Sequence, residues 1–287
     1  MIDILTGRYW DMPLSLVDGC TPCSPGCERC FAAANARRFL RDEDGYEKYT
    51  KNGIFGGRIE THPERLSIPL KRRKPTVYAV WNDLFHEAVP IQFRVDTCST
   101  MLGCNRHTYL ILTKRPNEML RYFKENTLSG YAGRDHIWHG LTICNQQEAD
   151  EKIPVFRKVP GKKFLSIEPM LGPINLGINL FKMGNLGTED DGGHRMAPDN
   201  IDAVILGGET GPGARPMHPD WLRSVRDQCS AAGVTFFFKS WGKHIPDLFD
   251  VFGDVGKDVP IIDVLITSRQ HRKLDGRTHD ELPWRDA

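Results

Sequence analysis

The stretch Thr76-Val77-Tyr78-Ala79-Val80-Trp81, followed at once by Asn82-Asp83, contains the pattern on which the whole chain is built. Its apolar part is short, rich in β-branched and aromatic residues and uninterrupted, which is typical of a strand covered on both faces. Five similar runs follow, at residues 108–112, 137–142, 163–167, 203–206 and 234–238. Helix-like stretches lie between them, for example at residues 116–126, 146–158 and 219–232. The alternation predicts an α/β protein whose parallel strands curl into a full or partial (β/α) barrel.

Polar, charged or glycine residues follow each of these six strand-like runs. The carboxyl ends of parallel strands meet at one rim of a barrel, and active sites are assembled there. The residues at these ends are Asn82 and Asp83, Lys114 and Arg115, Asn145 and Gln146, Glu168 and Pro169, Gly207, Gly208 and Glu209, and Lys239, Ser240 and Trp241. Any one group could be a cap or a turn, but six in succession predict a functional site at that rim.

The length and composition bound the domain organisation. A chain of 287 residues, 40% of them hydrophobic, can bury a sizeable core, and α/β barrels of this size form one domain. We expect a barrel over residues 1–245, including a helix at 31–40, and a C-terminal extension over 246–287 packed on the barrel. The glycine-rich acidic insert at 184–199 has little hydrophobic content and predicts a mobile loop or a lid.

The distribution of apolar residues excludes a membrane span, and the charge pattern leaves the binding partner open. No stretch approaches the ~20 apolar residues that a span requires, so we expect a cytoplasmic protein without a membrane partner. With 38 basic against 37 acidic side chains, the overall charge does not indicate a polyanion partner. Basic clusters at 37–38, 71–74 and 114–115 could contact phosphates, or could be ordinary solvated charges at helix ends and turns.

Four of the eight cysteines lie within eleven residues, as Cys20, Cys23, Cys27 and Cys30. This density indicates a metal site. The last three reproduce the C-x3-C-x2-C spacing that holds three irons of a [4Fe-4S] cluster and leaves the fourth iron for a ligand that is not protein. An open iron is where S-adenosylmethionine (SAM) can bind.

Three other interpretations of the cysteines compete with this one. A closed zinc site would use all four, although its C-x2-C pairs normally lie well apart in sequence. A ferredoxin-like cluster that only carries electrons would not require the rest of so long a chain. Disulfides are the third option, but no leader peptide precedes the cysteines. The other four, Cys98, Cys104, Cys144 and Cys229, are scattered singly and are expected to be buried core thiols.

Several long strings closely resemble the phage Gp37/Gp68 family, a radical-SAM-like group. They lie at residues 83–87, 112–116, 165–174, 207–221, 237–242 and 274–278, so the resemblance spans nearly the whole chain. It implies a TIM-type barrel of the radical SAM kind and an enzyme that uses a [4Fe-4S] cluster and SAM. If the chain is phage-encoded, its location would be the cytoplasm of the host cell.

The resemblance also bears on the cluster ligands. The family pattern Gly-Cys-x6-Cys-x2-Cys maps onto Cys20, Cys27 and Cys30, whereas the generic spacing selects Cys23 in place of Cys20. Cys27 and Cys30 are common to both. Many radical SAM enzymes place an aromatic residue just before the last cysteine; here that position is Arg29, and Phe31 follows the cysteine instead.

The implied chemistry assigns roles to the strand-end residues. An electron from the reduced cluster would cleave SAM, and the resulting 5′-deoxyadenosyl radical would abstract hydrogen from the substrate. For the amino and ribose groups of SAM we expect polar contacts from four residues that can accept these donors: Asn82, Asp83, Ser166 and Glu168. Gly207 and Gly208 would allow close backbone approach, with Glu209 as a polar contact. The plainer interpretation is a tight turn, with Glu209 as a helix cap.

The substrate is predicted from the side chains that could recognise it and from family context. Donors for a phosphate or carboxylate are Lys114, Arg115, Arg215, His218 and Lys239, and stacking surfaces for a base are Trp81, Phe85 and Trp241. We assign catalytic or substrate roles to four residues: Lys114, Arg115, Glu209 and Lys239.

The family context favours an isomerase or mutase that rearranges an amino-acid-bearing thymine in phage DNA, with flavodoxin or ferredoxin as electron donor. The alternatives are another nucleic acid, a small metabolite, or a metal-containing nucleic-acid-binding protein without catalysis.

Overall fold

The computed structural model describes residues 7–42, 45, 47–126, 134–177, 200–246 and 272–284. The predicted insert at 184–199 lies outside these residues, as does most of the predicted boundary region after residue 245. The described residues contain no helix that is both long enough and apolar enough to cross a membrane.

A seven-stranded parallel sheet forms the centre of the molecule. Its strand order is β1-β6-β7-β8-β9-β10-β11, and every neighbouring pair is parallel. The bounds are β1 Met12–Pro13, β6 Val77–Val80, β7 Thr108–Thr113, β8 Ile137–Ile143, β9 Lys162–Ile167, β10 Ala203–Gly207 and β11 Thr235–Ser240. All six predicted strands are confirmed. Sequence patterning missed β1, because two residues are too short to show a period.

The remaining strands are pairs of two-residue segments outside the central sheet. They are β2 Val17–Asp18 with β5 Glu60–Thr61, β3 Thr50–Lys51 with β4 Ile54–Phe55, and β12 Lys273–Leu274 with β13 Arg277–Thr278. The first two pairs fall between β1 and β6. They flank the segment that carries the four clustered cysteines.

Helices follow the strands as the alternation predicts. The bounds are α1 Phe31–Phe39, α2 Ser67–Lys71, α3 Ile91–Gly103, α4 Pro116–Glu125, α5 Gln146–Phe156 and α6 Pro219–Ala232, with short 3-10 turns at Pro25–Cys27 and Pro63–Leu66. The four helices predicted from sequence are confirmed within one or two residues. Helix α5 begins where the side chain of Asn145 accepts a hydrogen bond from the backbone of Glu148, and α6 ends at Gly233 in the left-handed conformation.

The sheet is curled, and its two faces pack against different parts of the molecule. One face packs against the helices, and the opposite face encloses a separate aromatic cluster. The rings of Tyr9, just before β1, and Phe237 of β11 lie 6.0 Å apart, so the two outer strands face each other across the concave side. The prediction of a partial barrel is therefore confirmed.

The described part of the C-terminal extension packs on this barrel. Arg272 donates hydrogen bonds to the backbone carbonyls of Phe238 and Lys239, at 3.1 and 3.0 Å. The indole of Trp284 donates to the carbonyl of Tyr9 at 3.2 Å, and its ring lies 5.1 Å from that of Trp138. Trp284 therefore closes one end of the barrel interior.

Candidate functional site

A cavity of about 550 Å³ lies at the carboxyl ends of the central strands, which is within the range of ligand-binding pockets. All four clustered cysteines line it. The strand-end residues that also line it are Asn82, Asp83, Lys114, Arg115, Ser166, Glu168, Gly208, Glu209, Lys239 and Ser240. The fold thus brings two separately predicted features to one cavity: the polar strand ends and the segment with the four clustered cysteines, residues 20–30, which we call the cysteine loop.

A buried arginine fixes the start of the cysteine loop. Arg115 donates to the carbonyl of Thr21 at 2.8 Å, and its Nη1 lies 3.8 Å from the sulfur of Cys20. The same guanidinium forms ion pairs with Asp83 at 3.0 Å and Glu87 at 2.9 Å. Burial alone would lower the pKa of Arg115, but the charges of Asp83, Cys23 and Cys20 and the hydrogen bond to Asp83 together outweigh it and raise that pKa. Arg115, predicted as a catalytic or phosphate-binding group, thus lies against Cys20 and is paired with two carboxylates of the protein.

Asp83 and Asn82 also act on neighbouring protein groups. The Asp83 carboxylate accepts four hydrogen bonds: from the backbone of Phe85 and Lys114, the hydroxyl of Thr113 and the guanidinium of Arg115. The Asn82 amide donates to the carbonyl of Val17 at 2.8 Å, from a left-handed backbone with φ of 53°. These two residues hold the cavity wall together, with Asn82 still partly exposed to the cavity.

The electrostatics of the thiols show which groups face one another. A hydrogen bond from the Cys23 thiol lowers the pKa of Cys27, and the nearby ammonium of Lys114 adds to this shift. The same hydrogen bond raises the pKa of Cys23. The charges of Cys27, Cys30 and Cys23 in turn raise the pKa of Lys114, against the effect of its burial. Lys114 is therefore a cation directed at three of the four sulfurs.

Cys20 has a different environment from the other three cysteines. Burial raises the pKa of its thiol, and the negative charge of Asp83 raises it further, while Arg115 opposes both effects. Its Sγ also lies 3.6 Å from the carbonyl of Thr21. Cys23, by contrast, is exposed.

The floor of the cavity is a polar cluster at the carboxyl ends of β9 and β11. The Glu168 carboxylate accepts hydrogen bonds from the hydroxyls of Tyr9, at 3.1 Å, and Ser166, at 3.2 Å, and pairs with the ammonium of Lys239 at 2.8 Å. Burial, and then the charge of Glu168, raise the pKa of Tyr9 well above its usual value. A Cβ on Gly207 would lie 3.2 Å from Glu168 Oε1, so the absence of a side chain there leaves room for this carboxylate.

A second ion-pair cluster holds the other end of the cysteine loop. Glu209 accepts two hydrogen bonds from the Arg215 guanidinium, at 2.5 and 2.9 Å, and Arg215 also pairs with Glu28 at 3.1 Å and donates to the carbonyl of Pro25. Burial would raise the pKa of Glu209, but the hydrogen bonds from Arg215 outweigh it and lower that pKa. Arg29, which replaces the aromatic residue noted above, lies 3.8 Å from the same carboxylate.

Comparison with known proteins gives one match. The model of a family described as "Protein of unknown function (DUF5131)" matches residues 7–283. The chain belongs to this family. No curated protein and no solved structure matches the chain.

In this DUF5131 member, two predicted stacking surfaces, Phe85 and Trp241, are wrong, and a third predicted contact, His218, lies outside the cavity lining. Phe85 is buried in the core against the ring of Tyr122, and Trp241 is buried with its indole donating to the carbonyl of Lys273 at 2.8 Å. His218 caps helix α6 by accepting from the backbone of Asp220, and it does not line the cavity.

Gly208 has a packing role that sequence alone did not indicate. A Cβ there would lie 1.9 Å from the carbonyl oxygen of Trp241, so the two backbones approach closely. Its predicted role, close approach of SAM, is therefore not needed to explain this glycine, although the residue also lines the cavity.

Sequence reasoning missed two aromatic residues of the site, Tyr9 and Trp10, noted Phe31 only for its place after Cys30, and located the four outlying cysteines correctly. Tyr9, Trp10 and Phe31 line the cavity together with the predicted Trp81. Tyr9 and Trp10 precede a strand too short to detect. The prediction that Cys98, Cys104, Cys144 and Cys229 are buried is confirmed.

The basic cluster at 71–74 lies away from the cavity lining. It begins at the last residue of α2 and precedes β6, so it belongs to the edge from which the strands start rather than the edge at which they end. Of the predicted basic clusters, the one at 114–115 lines the cavity.

Within the described ranges, no three or more His, Cys, Asp or Glu side chains form a group that could hold a metal ion. A [4Fe-4S] cluster makes a different demand, because each of its cysteines binds a different iron and the sulfurs do not converge on one point. The chemistry of the donor set suits such a cluster: four thiols line one cavity, and Lys114 supplies a facing positive charge.

Proposed function

We propose that this chain is a radical SAM enzyme that holds a [4Fe-4S] cluster through Cys27, Cys30 and Cys20. The observation that carries the proposal is the meeting of the cysteine loop and the strand ends at one cavity. When bound, the cluster and SAM supply the electron transfer that breaks a sulfur–carbon bond and releases a 5′-deoxyadenosyl radical. The barrel is then of the radical SAM type, and the resemblance to the Gp37/Gp68 family supports it.

The choice of Cys20 over Cys23 rests on how each is held. Cys20 lies beside Arg115, which is itself fixed by Asp83, Glu87 and the carbonyl of Thr21. Groups of this kind orient metal ligands and stabilise their charged form. Cys23 is exposed, and its hydrogen bond is to another cysteine, Cys27.

The residues around the cavity have separate tasks in this proposal. Lys114 offsets the negative charge that accumulates on thiolates and cluster. Glu168, with Ser166 and Tyr9, offers a fixed carboxylate to the amino or ribose groups of SAM, and Lys239 forms an ion pair with that carboxylate. The outer charges of Arg115 and Glu209 hold the two ends of the loop and so keep the cysteines in place.

The substrate we propose is a base in DNA, rearranged by an isomerase or mutase reaction on an amino-acid-modified thymine. Support comes from the family resemblance and from the cations at the cavity, among them Arg8 and Lys114. A flavodoxin or ferredoxin would supply electrons, and the reducing cytoplasm would suit an oxygen-sensitive cluster.

The test is metal analysis and SAM cleavage on anaerobically reconstituted protein. We expect about four irons and four sulfides per chain and, after reduction, conversion of SAM to 5′-deoxyadenosine. Cys27→Ala and Cys30→Ala should abolish both properties. Cys229→Ala is the matched control, because Cys229 is a buried cysteine on α6 away from the cavity, and it should retain iron. Stoichiometric zinc without iron in the wild-type protein would overturn the proposal and favour a non-catalytic metal protein.

A further inference from the structure

Three aromatic side chains form a connected group at the wall of the cavity. The rings of Trp10 and Trp81 lie 4.8 Å apart at 88°, and those of Phe31 and Trp81 lie 5.9 Å apart at 84°. All three line the cavity. We call them the aromatic wall.

Phe31 shows that this group is not simply part of the core. It is 58% exposed, although a phenylalanine side chain is normally buried, and it begins helix α1 immediately after Cys30. A ring that faces both solvent and a cavity is available to a ligand entering that cavity. An exposed aromatic surface of this kind marks an interaction site when it is joined to others.

The charges nearby decide which ligand suits the aromatic wall. Such walls can bind cations or stack on planar groups. The three carboxylates that line the cavity are already paired within the protein: Asp83 with Arg115, Glu168 with Lys239, and Glu209 with Arg215.

The cations at the same wall oppose a cationic ligand. The guanidinium of Arg8 lies 4.7 Å from the ring centre of Trp10, where it already occupies a cation site. Lys114 adds a second positive charge in the cavity. A planar group that carries a negative charge therefore fits better, and a nucleobase with its phosphate has both properties.

We propose that Trp10, Phe31 and Trp81 receive the nucleobase of the substrate at the entrance of the cavity, with Arg8 contacting the adjacent phosphate. Because Trp81 is nearly perpendicular to the other two rings, the base would stack on one ring plane and meet the perpendicular ring edge to face. This inference rests on the proposed function for its account of what happens to the base. It supplies what that proposal lacks, namely the residues that recognise the substrate. The base could be presented by a DNA strand, extruded from its stack, or by a free nucleotide.

The test measures binding of a short fluorescein-labelled single-stranded DNA and, separately, of thymidine monophosphate. Phe31→Ala and Trp10→Ala should each weaken binding of both probes by about 5- to 150-fold, the effect of losing one base-stacking ring. Trp10→Phe should restore most of the affinity, because it keeps an aromatic face. Arg8→Gln should weaken DNA binding and reduce its dependence on salt concentration.

Phe39→Ala is the matched control. Phe39 is on the same helix and is 66% exposed, but it does not line the cavity. Its replacement should leave the affinity for both probes unchanged. If Phe31→Ala and Trp10→Ala bind both probes as tightly as Phe39→Ala does, or if Trp10→Phe fails to improve on a folded Trp10→Ala, the inference is overturned.

The two probes identify the source of the base. Tight, salt-dependent binding of DNA with weak binding of thymidine monophosphate indicates a base within a strand, because only the strand supplies further phosphates. Comparable binding of both indicates a free nucleotide. Either result supports the aromatic wall, provided that Phe31→Ala and Trp10→Ala weaken binding of the probe.

Failure of this inference can be distinguished from failure of the proposed function. Iron content and SAM cleavage without substrate are measured on the same preparations of wild-type protein. Iron and cleavage without any effect of the ring substitutions would overturn the aromatic wall alone. Ring-dependent DNA binding by a wild-type protein that takes up no iron would overturn the enzyme proposal alone.

Discussion

The two ends of the barrel interior differ sharply although the same strands build both. Near the start of each strand the interior holds large aromatic side chains, including Trp138, Phe164 and Phe237, closed off by Trp284. A few residues further along β9 and β11, Glu168 and Lys239 form the polar floor of the cavity. The difference separates a packed aromatic end of the strands from a polar end that lines the cavity, and in (β/α) barrels active sites are built at the latter end.

The first prediction concerns the cavity end, where replacing a cluster ligand should remove all of the bound iron. Cys20→Ala should lose the cluster, because Cys20 is held beside Arg115 and faces the cavity. Cys23→Ala should keep most of the iron, since Cys23 is exposed. Iron and sulfide content after identical reconstitution is the measurement.

The unfolding transitions of these two variants complete that comparison. Both should unfold at about the same urea concentration as the wild-type chain without iron, because the cysteines contribute little to the packed end. Iron retained by Cys20→Ala and lost from Cys23→Ala would reverse the choice of ligand.

The second prediction concerns the packed end. Trp284→Ala should lower the free energy of unfolding by about 3–5 kcal/mol, the usual cost of removing a large buried aromatic side chain. It would remove ring contacts with Trp138, Phe164 and Tyr9 and one hydrogen bond. Urea unfolding with an unchanged m-value would measure the loss. A loss no greater than that of Trp81→Ala, at the cavity wall, would show that the two ends do not differ as described.

A third prediction uses a glycine of the packed end. A Cβ on Gly140 would lie 2.3 Å from Cζ of Phe164, so Gly140→Ala should overpack the interior and cost about 1–3 kcal/mol. Adding Phe164→Leu should recover part of the loss, because the two residues are in contact.

The control for this substitution is Gly103→Ala. Gly103 is the last residue of α3, and nothing lies within 4 Å of the added Cβ. That variant should be neutral or slightly stabilising. Equal effects of the two alanines on the urea midpoint would argue against tight packing around Phe164.

The last effect, expected on the helix-covered face of the same strand, vanishes at neutral pH and grows only on acidification. Burial, and then the charge of Lys163, lower the pKa of His139 to about 3. Between that value and the ordinary pKa of about 6.5, the unfolded chain binds a proton that the folded chain does not. Stability contributed by His139 is therefore complete above about pH 6.5 and falls as the pH decreases, by about 1.4 kcal/mol per unit.

Replacing this histidine isolates its contribution from those of the other buried histidines. The free energy of unfolding of His139→Asn should depend less steeply on pH between about 4 and 6 than that of the wild-type protein. The difference between the two proteins should be constant above about pH 7.5. Parallel curves throughout would mean that His139 does not stay neutral in the folded state.

Much of the fold could be predicted because most of its strands have a recognisable local sequence pattern. The continuous apolar runs of β6 to β11 and the capped helices between them carry their own signals, such as Asn145 before α5. The two-residue β1 carries none, so the residues that precede it, Tyr9 and Trp10, were missed.

The cavity could be predicted in outline but not in its assignments. Polar strand ends and a cysteine-rich loop were visible in the sequence, and the barrel brings them together. Whether a side chain is available to a ligand depends on its contacts in three dimensions. Asp83 and Arg115 are paired with each other, and Trp241 is covered by the C-terminal extension. No periodicity encodes such contacts between residues far apart in sequence.

The central claim is that the cysteine loop presents a cluster with an open iron to the strand-end cavity. Electron paramagnetic resonance of the reduced, reconstituted protein with and without SAM tests it most directly. We predict a [4Fe-4S] signal whose spectrum changes when SAM is added, because SAM would bind the iron that has no cysteine. A protein without an iron–sulfur signal, or a cluster spectrum that SAM leaves unchanged at saturating concentration, would contradict the claim.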